Sequence, residues 1–407
     1  MKNRTLPIIV ATVFFLGIAS PGFSKPFSRT AALLGASDSV LVQTEDGRVL
    51  FFHQADTLRV PASILKVLTS LAALHLLGPD HRFVTEMYAD GRGTCALKGY
   101  GDPLLVSEVL EDMAQILVQK APGCTRLILD DGFFANPLEI PGTDSSTNPY
   151  DSPVGALCAN FNTVNFSRDP QTGELRTAEP QTPLVPFARE LIRKNRFPKG
   201  RVLLTQDCRQ TTLYAGHLFA WFYGQAGGWT IRSVELGQVE PRFTLVHAFE
   251  SPYDLKENLR RLLEFSNNFM TNQILLAMGA KRFGPPATLE KGVSVLEEFA
   301  REKLGLRKLH LAEGSGISRE NRISATEMMK VLEAFELYAG LLPEEDGVRF
   351  KTGTLNGISS RAGYVRRADK IPCWFVILLN SPGSKAQKVM ESVLRELPPQ
   401  GRGPDRS

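Results

Sequence analysis

The sequence predicts an α+β fold: a five-stranded antiparallel sheet flanked by helices, interrupted by a large and mostly β insertion. Three observations carry this. Strand-like apolar runs cluster at the two ends of the chain, two at the start and three near the finish. Helical periodicity fills the regions next to them. Between residues 79 and 251 the texture changes to short strand-like pieces separated by turns, so the chain leaves the sheet and returns to it.

The N-terminal 24 residues place Lys2 and Arg4 ahead of an apolar run from Leu6 to Ala19, followed by Pro21, Gly22 and Ser24. This is the layout of a secretory leader, and the run is shorter than the roughly 20 residues a spanning helix needs. We expect residues 1–24 to be removed and the mature chain to be exported, with no stable membrane span after cleavage. Val40–Gln43 and Val49–His53 flank Asp46-Gly47, which is hairpin chemistry. Ser63 to Leu77 is apolar almost all round and stops at Gly78-Pro79, as expected of a helix buried on most sides. Residues 25–78 and 252–397 are therefore assigned to one discontinuous domain, 79–251 to the insertion, and 398–407 to a flexible tail. Beyond Pro252 the periodic segments Leu255–Met278 and Leu289–Lys303 precede strands near Val348–Thr354, Arg361–Arg366 and Ile371–Leu379. A helix from Lys385 to Leu397 closes the domain.

Composition excludes several classes. A chain of 407 residues with 43% hydrophobic and 22% charged residues is globular in character. The formal charge of +4, or +2 without Lys2 and Arg4, implies no nucleic-acid partner. The basic stretch Arg189–Arg201 reads as a solvated helix face. Five scattered cysteines (95, 124, 158, 208 and 373) form no Cys-x-x-Cys pair, and six histidines form no metal-binding pattern, so neither metal nor cofactor is expected. One or two disulfides among the first four cysteines suit an oxidising compartment, and Cys373 sits in an apolar run as a buried small residue.

The chemistry rests on three short motifs. Ser63 and Lys66 are one turn apart at the mouth of the apolar helix, and burial favours the neutral amine that a serine hydroxyl needs as a base. The Ser63 N–H, at the helix N-terminus, is aimed where an oxyanion forms. Ser266-Asn267-Asn268, within the helical stretch Leu259–Leu276, offers a hydroxyl and an amide two positions apart. Ser146-Thr147-Asn148 shows the same pattern, but motif order and context select Ser266. Lys351-Thr352-Gly353 occurs once, in a strand, where a cation and a hydroxyl suit a substrate carboxylate. Gly353 is explained if an extended peptide approaches closely, with the Thr354 N–H as second oxyanion donor. Ser315, between two glycines, lacks the Gly-x-Ser-x-Gly context of a nucleophile elbow.

Ser-x-x-Lys, Ser-x-Asn and Lys-Thr-Gly in that order resemble the penicillin-recognising serine DD-peptidases and β-lactamases. The 203 residues from Ser63 to Ser266 narrow the resemblance to the D-alanyl-D-alanine carboxypeptidase and endopeptidase family of penicillin-binding protein 4 type, peptidase family S13. Arg59-Val-Pro-Ala-Ser-Ile-Leu-Lys66, Gly99-Tyr-Gly-Asp-Pro103, Ser152-Pro-Val-Gly-Ala-Leu157, Gly314-Ser-Gly316 with Asn321-Arg-Ile-Ser324, and Lys351-Thr-Gly-Thr354 with Ala362-Gly-Tyr364 are similar to its recurring segments. Glu313 stands where that family usually has Asp, and Ile140–Tyr150 lacks its tryptophan-rich pattern. The resemblance implies a penicillin-binding, β-lactamase/transpeptidase-like fold. It further implies an acyl-enzyme on Ser63, peptidoglycan stem peptides as substrate, periplasmic or otherwise extracytoplasmic action, and covalent trapping by β-lactams. It assigns Ser63, Lys66, Ser266 and Asn268 to catalysis and Lys351, Thr352, Gly353 and Thr354 to substrate binding. A β-lactamase and a catalytically inactive wall-binding protein of the same fold are the alternatives. The first needs a deacylating carboxylate, and no Glu-x-x-Leu-Asn lies between Ser266 and Lys351.

Overall fold

A computed structural model of the chain describes residues 27–400. The expected leader and residues 401–407 lie outside them. Helix α1 (Ser28–Ala31) leads into β1 (Asp38–Thr44) and β2 (Val49–His53), the expected hairpin. A 3₁₀ turn over Ala62–Leu65 then runs into α2 (Lys66–Leu76). The expected single helix thus begins as a tighter turn that carries Ser63, and α2 starts at Lys66. Residues 66–74 of α2 are all buried, the polar Lys66, Thr69 and Ser70 included, and Gly78 ends the segment with φ +95°.

The insertion carries β3 (Arg82–Ala89), β4 (Thr94–Gly99), α3 (Ser107–Lys120), β5 (Arg126–Asp130), β6 (Thr163–Arg168), β7 (Leu175–Thr177), α4 (Pro186–Asn195), β8 (Gly200–Leu203), α5 (Cys208–Gln225), β9 (Ser233–Leu236) and β10 (Thr244–Asp254). Its strands form a five-stranded sheet, ordered β10-β3-β4-β5-β9, and a three-stranded one, β7-β6-β8. The expectation of a mostly β region needs correction. β4-α3-β5 and β5-α5-β9 are parallel crossovers, so the insertion is mixed, with helices covering one sheet face. The signal was present in Val109, Leu110, Met113, Ala114 and Leu117, which recur at helical spacing and are buried. Cys95, on β4, is bonded to Cys124, just before β5, while Cys158, Cys208 and Cys373 are free thiols.

The return half consists of α6 (Leu255–Phe265), α7 (Asn268–Phe283), α8 (Leu289–Leu304), β11 (Leu309–His310), β12 (Arg322–Ile323), α9 (Ala325–Phe335), β13 (Glu344–Glu345), β14 (Val348–Leu355), β15 (Ile358–Val365), β16 (Cys373–Leu379) and α10 (Ala386–Glu396). The main sheet is antiparallel in the order β13-β14-β15-β16-β1-β2, so the five expected strands are joined by a two-residue edge strand. β1 and β16, from opposite ends of the chain, lie side by side with Val42 opposite Phe375. Both are buried along their whole length because the sheet is covered twice. Val40, Val42, Phe375 and Ile377 face α10, while Leu41, Trp374, Val376 and Leu378 face the larger helical core built around α2. That alternation fixes the register, since a slip of one residue would exchange the two faces. The tail expected from residue 398 is paired as far as residue 400, through Pro399 with Lys370 and the Gln400 N–H to the Asp369 carbonyl.

Candidate active site

Ser63 sits in the 3₁₀ turn, half-buried, at the edge of a cavity of about 870 Å³. The turn is held against the sheet. Ala62, immediately before the serine, has φ +50°, an uncommon conformation for a residue with a side chain and one that persists only where the surroundings impose it. Ser360 of β15 donates to the Pro61 carbonyl at 2.5 Å. A Cβ on Gly353 of β14 would lie 2.8 Å from the Ser63 nitrogen and 3.0 Å from the Pro61 oxygen. Gly353 was expected to admit a substrate backbone. The backbone it admits is the chain's own, so its immediate role is to let β14 lie against the serine turn.

Lys66 occupies the first turn of α2 with 0% exposure. Its Nζ lies 3.0 Å from Ser63 Oγ and donates to Asn268 Oδ1 and to the Ser315 carbonyl, both at 2.7 Å. Burial holds its pKa well below the ordinary lysine value. The Lys351 charge acts in the same direction and Glu313 opposes it. Lys351, on β14 opposite Ala362, is 2% exposed, and burial pushes its pKa down to about 8. Its Nζ donates to the Thr352 carbonyl at 3.0 Å.

The Ser266-Asn267-Asn268 segment breaks the helix that the periodicity predicts as continuous. Ser266 ends α6 with φ +54°, and the Asn267 side chain caps α7 by accepting the Met270 N–H at 3.0 Å. Ser and Asn favour such boundaries because their short side chains satisfy the free N–H groups of a helix start. The break turns Ser266 and Asn268 to the cavity, where Ser63 and Thr354 also lie. Thr352 is exposed and does not line that cavity. Asn268 Nδ2 donates to the Tyr150 carbonyl at 3.2 Å, bringing the insertion to the site. The alternative triplet lies beside it with local duties: Ser146 donates to Asp151, and Asn148 donates to the Tyr150 hydroxyl at 2.7 Å.

Two contributors escape motif reasoning. Ser315 acts through its carbonyl on Lys66, a contact no side-chain pattern reveals. Glu313, noticed in the sequence only as a departure from Asp, is fully buried and accepts from Ser315 N, Gly316 N, Ser318 N, Asn272 Nδ2 and Asn321 Nδ2. Among the described residues no cluster of His, Cys, Asp or Glu is arranged to hold a metal ion. No helix among them is long and apolar enough to cross a membrane.

The model of the D-Ala-D-Ala carboxypeptidase 3 (S13) family matches residues 28–194 and 199–339. The chain belongs to that family. The family establishes the chain in broad terms as a D-Ala-D-Ala carboxypeptidase of the penicillin-binding type. Among curated relatives, the D-alanyl-D-alanine carboxypeptidase of Actinomadura sp. (strain R39) is 26% identical, over 82% of this chain and 76% of the relative. Carboxypeptidase DacB of Mycolicibacterium smegmatis is 23% identical, over 88% and 80%. The crystal structure of penicillin binding protein 4 (dacB) from Haemophilus influenzae superimposes with a TM-score of 0.71 at 20% identity, covering 88% of this chain and 93% of that one. A peptidoglycan endopeptidase from Bdellovibrio bacteriovorus shares the fold at a TM-score of 0.51 and 15% identity, covering 90% and 94%.

Proposed function

We propose that this S13 chain cleaves the D-alanyl-D-alanine end of peptidoglycan stem peptides through an acyl-enzyme on Ser63, and that β-lactams trap the same serine. The observation that carries the reading is the set of contacts around Lys66. A neutral amine has two N–H donors and one lone pair. Asn268 Oδ1 and the Ser315 carbonyl take the two donors, which leaves the lone pair for the Ser63 O–H 3.0 Å away. Burial favours the neutral form, so Lys66 is suited to act as general base.

In this reading Ser63 attacks the carbonyl between the two D-alanines and its proton passes to Lys66. The N–H groups of Ser63 and Thr354 hold the oxyanion, and the proton reaches the leaving amine by way of Ser266 and Lys351. Asn268 keeps the substrate amide in place. The charge of Lys351 attracts the terminal carboxylate, and the exposed Thr352 hydroxyl can meet it only outside the cavity walls. Water then releases the shortened peptide. Cleavage of D-amino-acid cross-links uses the same steps. Such a substrate places the enzyme outside the cytoplasm, in line with removal of residues 1–24, and residues 79–251 contribute to the site as an inserted region.

Labelling with a fluorescent penicillin tests the proposal. The intact protein is expected to label and Ser63→Ala to remain dark. An unlabelled wild-type protein would identify an inactive wall-binding member of the fold. Rapid multiple-turnover hydrolysis of a chromogenic cephalosporin would identify a β-lactamase instead. Mass analysis of digested muropeptides should show loss of one terminal alanine.

A further inference from the structure

The most heavily hydrogen-bonded charge near the site belongs to no catalytic motif. Glu313 is a carboxylate with no solvent contact, held by five N–H donors from three directions. Oε2 accepts from the Ser315 N–H at 2.6 Å and from Asn272 Nδ2 of α7 at 3.0 Å. Oε1 accepts from the Gly316 N–H at 2.6 Å, from Asn321 Nδ2 at 2.7 Å and from the Ser318 N–H at 3.3 Å. An ionised carboxylate away from water persists only when surrounded in this way. These bonds fix the backbone of residues 314–318, and that loop touches the reacting groups at two points. The Ser315 carbonyl accepts from Lys66 Nζ. Gly316, at φ +83°, packs so closely on the residue before the nucleophile that an added Cβ would overlap the Ala62 carbonyl oxygen and lie 3.2 Å from Ser63 N.

We propose that Glu313 is a positioning residue for acylation: by pinning the 314–318 loop it sets both the Ser315 carbonyl that orients Lys66 and the backbone wall against which the Ser63 turn rests. The inference rests on the reading of Ser63 as nucleophile and Lys66 as base. It assigns Glu313 no contact with substrate. Its charge has a second effect, because the charged groups that reach Lys66 are Lys351 from β14 and Glu313 from the loop, with opposite signs.

The test is stopped-flow acylation by a penicillin as a function of pH for wild type, Glu313→Gln and Glu313→Asp. Glu313→Gln keeps the size of the side chain but turns an amide toward N–H donors. Its first-order acylation constant on the pH plateau is expected to fall about tenfold or more. Dissociation of the non-covalent complex is expected to stay within about twofold, because no substrate contact is lost. With the opposing negative charge gone, Lys66 loses its proton more easily, so the acid limb moves to lower pH. Glu313→Asp retains the charge, and its acid limb should stay with that of the wild type. A merely structural loosening lets water reach Lys66 and moves the limb to higher pH. That result, or a plateau within about twofold of wild type, overturns the proposal. Should Glu313→Gln fail to fold, Asn321→Ala removes one donor, keeps the charge, and carries the same plateau prediction. A wild-type protein that is not acylated at all overturns the reading of Ser63 instead, which separates the two failures.

Discussion

Asn268 ties two parts of the chain together: its Nδ2 donates to the Tyr150 carbonyl in the insertion while its Oδ1 accepts from Lys66. Asn268→Ala removes the acceptor that orients the base and the link to Tyr150 in one step. Acylation by penicillin is expected to slow about 100-fold, a typical cost of losing a transition-state positioning contact. Asn268 is only half-buried, so the melting temperature should fall by a few degrees at most. Stopped-flow acylation and thermal unfolding of the same preparation check both halves.

Two lysines with depressed pKa values are expected to make activity bell-shaped in pH. On the proposed mechanism the rate should rise as Lys66 loses its proton and fall as Lys351, at about 8, loses the charge proposed to attract a carboxylate. In Lys351→Arg the cation persists to high pH, so the descending limb of kcat/KM is expected to vanish below pH 9 even if the plateau drops. The stability consequence has a definite sign. Between about pH 8 and the unfolded lysine value of 10.5 the unfolded chain holds the Lys351 proton and the native state does not, so stability rises with pH across that window. Below it the charged native lysine costs about 3 kcal/mol. Lys351→Met should therefore unfold at higher temperature than wild type at pH 7 while losing peptidase activity.

Gly353→Ala tests the contact between β14 and the serine turn. The added methyl meets Ser63 N, the Pro61 oxygen and the Ser360 hydroxyl together, so strand and turn must part. We expect a loss of about 1–3 kcal/mol, the usual cost of overpacking. Because the displaced atoms include the nucleophile's own nitrogen, acylation should fall about 100-fold. Denaturant unfolding and penicillin labelling rates measure the two effects.

The Cys95–Cys124 disulfide closes a segment of 29 residues that contains none of the three motifs. Its removal by Cys95→Ala with Cys124→Ala should cost about 3–4 kcal/mol through the greater freedom of the unfolded chain. The acylation rate of the remaining folded protein should stay within about twofold, as read by penicillin labelling below the melting transition.

Much of the site was legible because each motif residue brings its own local signal. Ser63 and Lys66 stand three residues apart at the start of an apolar helix, Lys351 falls in a strand-like segment, and the β16 run announces its burial by composition. What was missed depends on contacts between distant segments. The break at Ser266 is cap chemistry inside a stretch whose apolar spacing reads straight through it. Gly353 answers to Pro61 and Ser63, some 290 positions earlier, and the Ser315 carbonyl has no identity that a sequence can display. The exposure of Thr352, away from the cavity walls, depends on which face of β14 its neighbours cover, which a tripeptide does not encode. Helices α3 and α5 were written in the sequence with ordinary periodicity, hidden among turns and short β pieces.

The pairing of β1 with β16 has a consequence for biosynthesis. Ser63 is made early, but the strands that press its turn into shape, β14 and β15, and the strand that joins them to β1, are made more than 280 residues later. A nascent chain holding only its first half therefore lacks the strands against which the Ser63 turn is held. The proposed nucleophile gains its setting only after a long-range closure of the kind that makes folding slow.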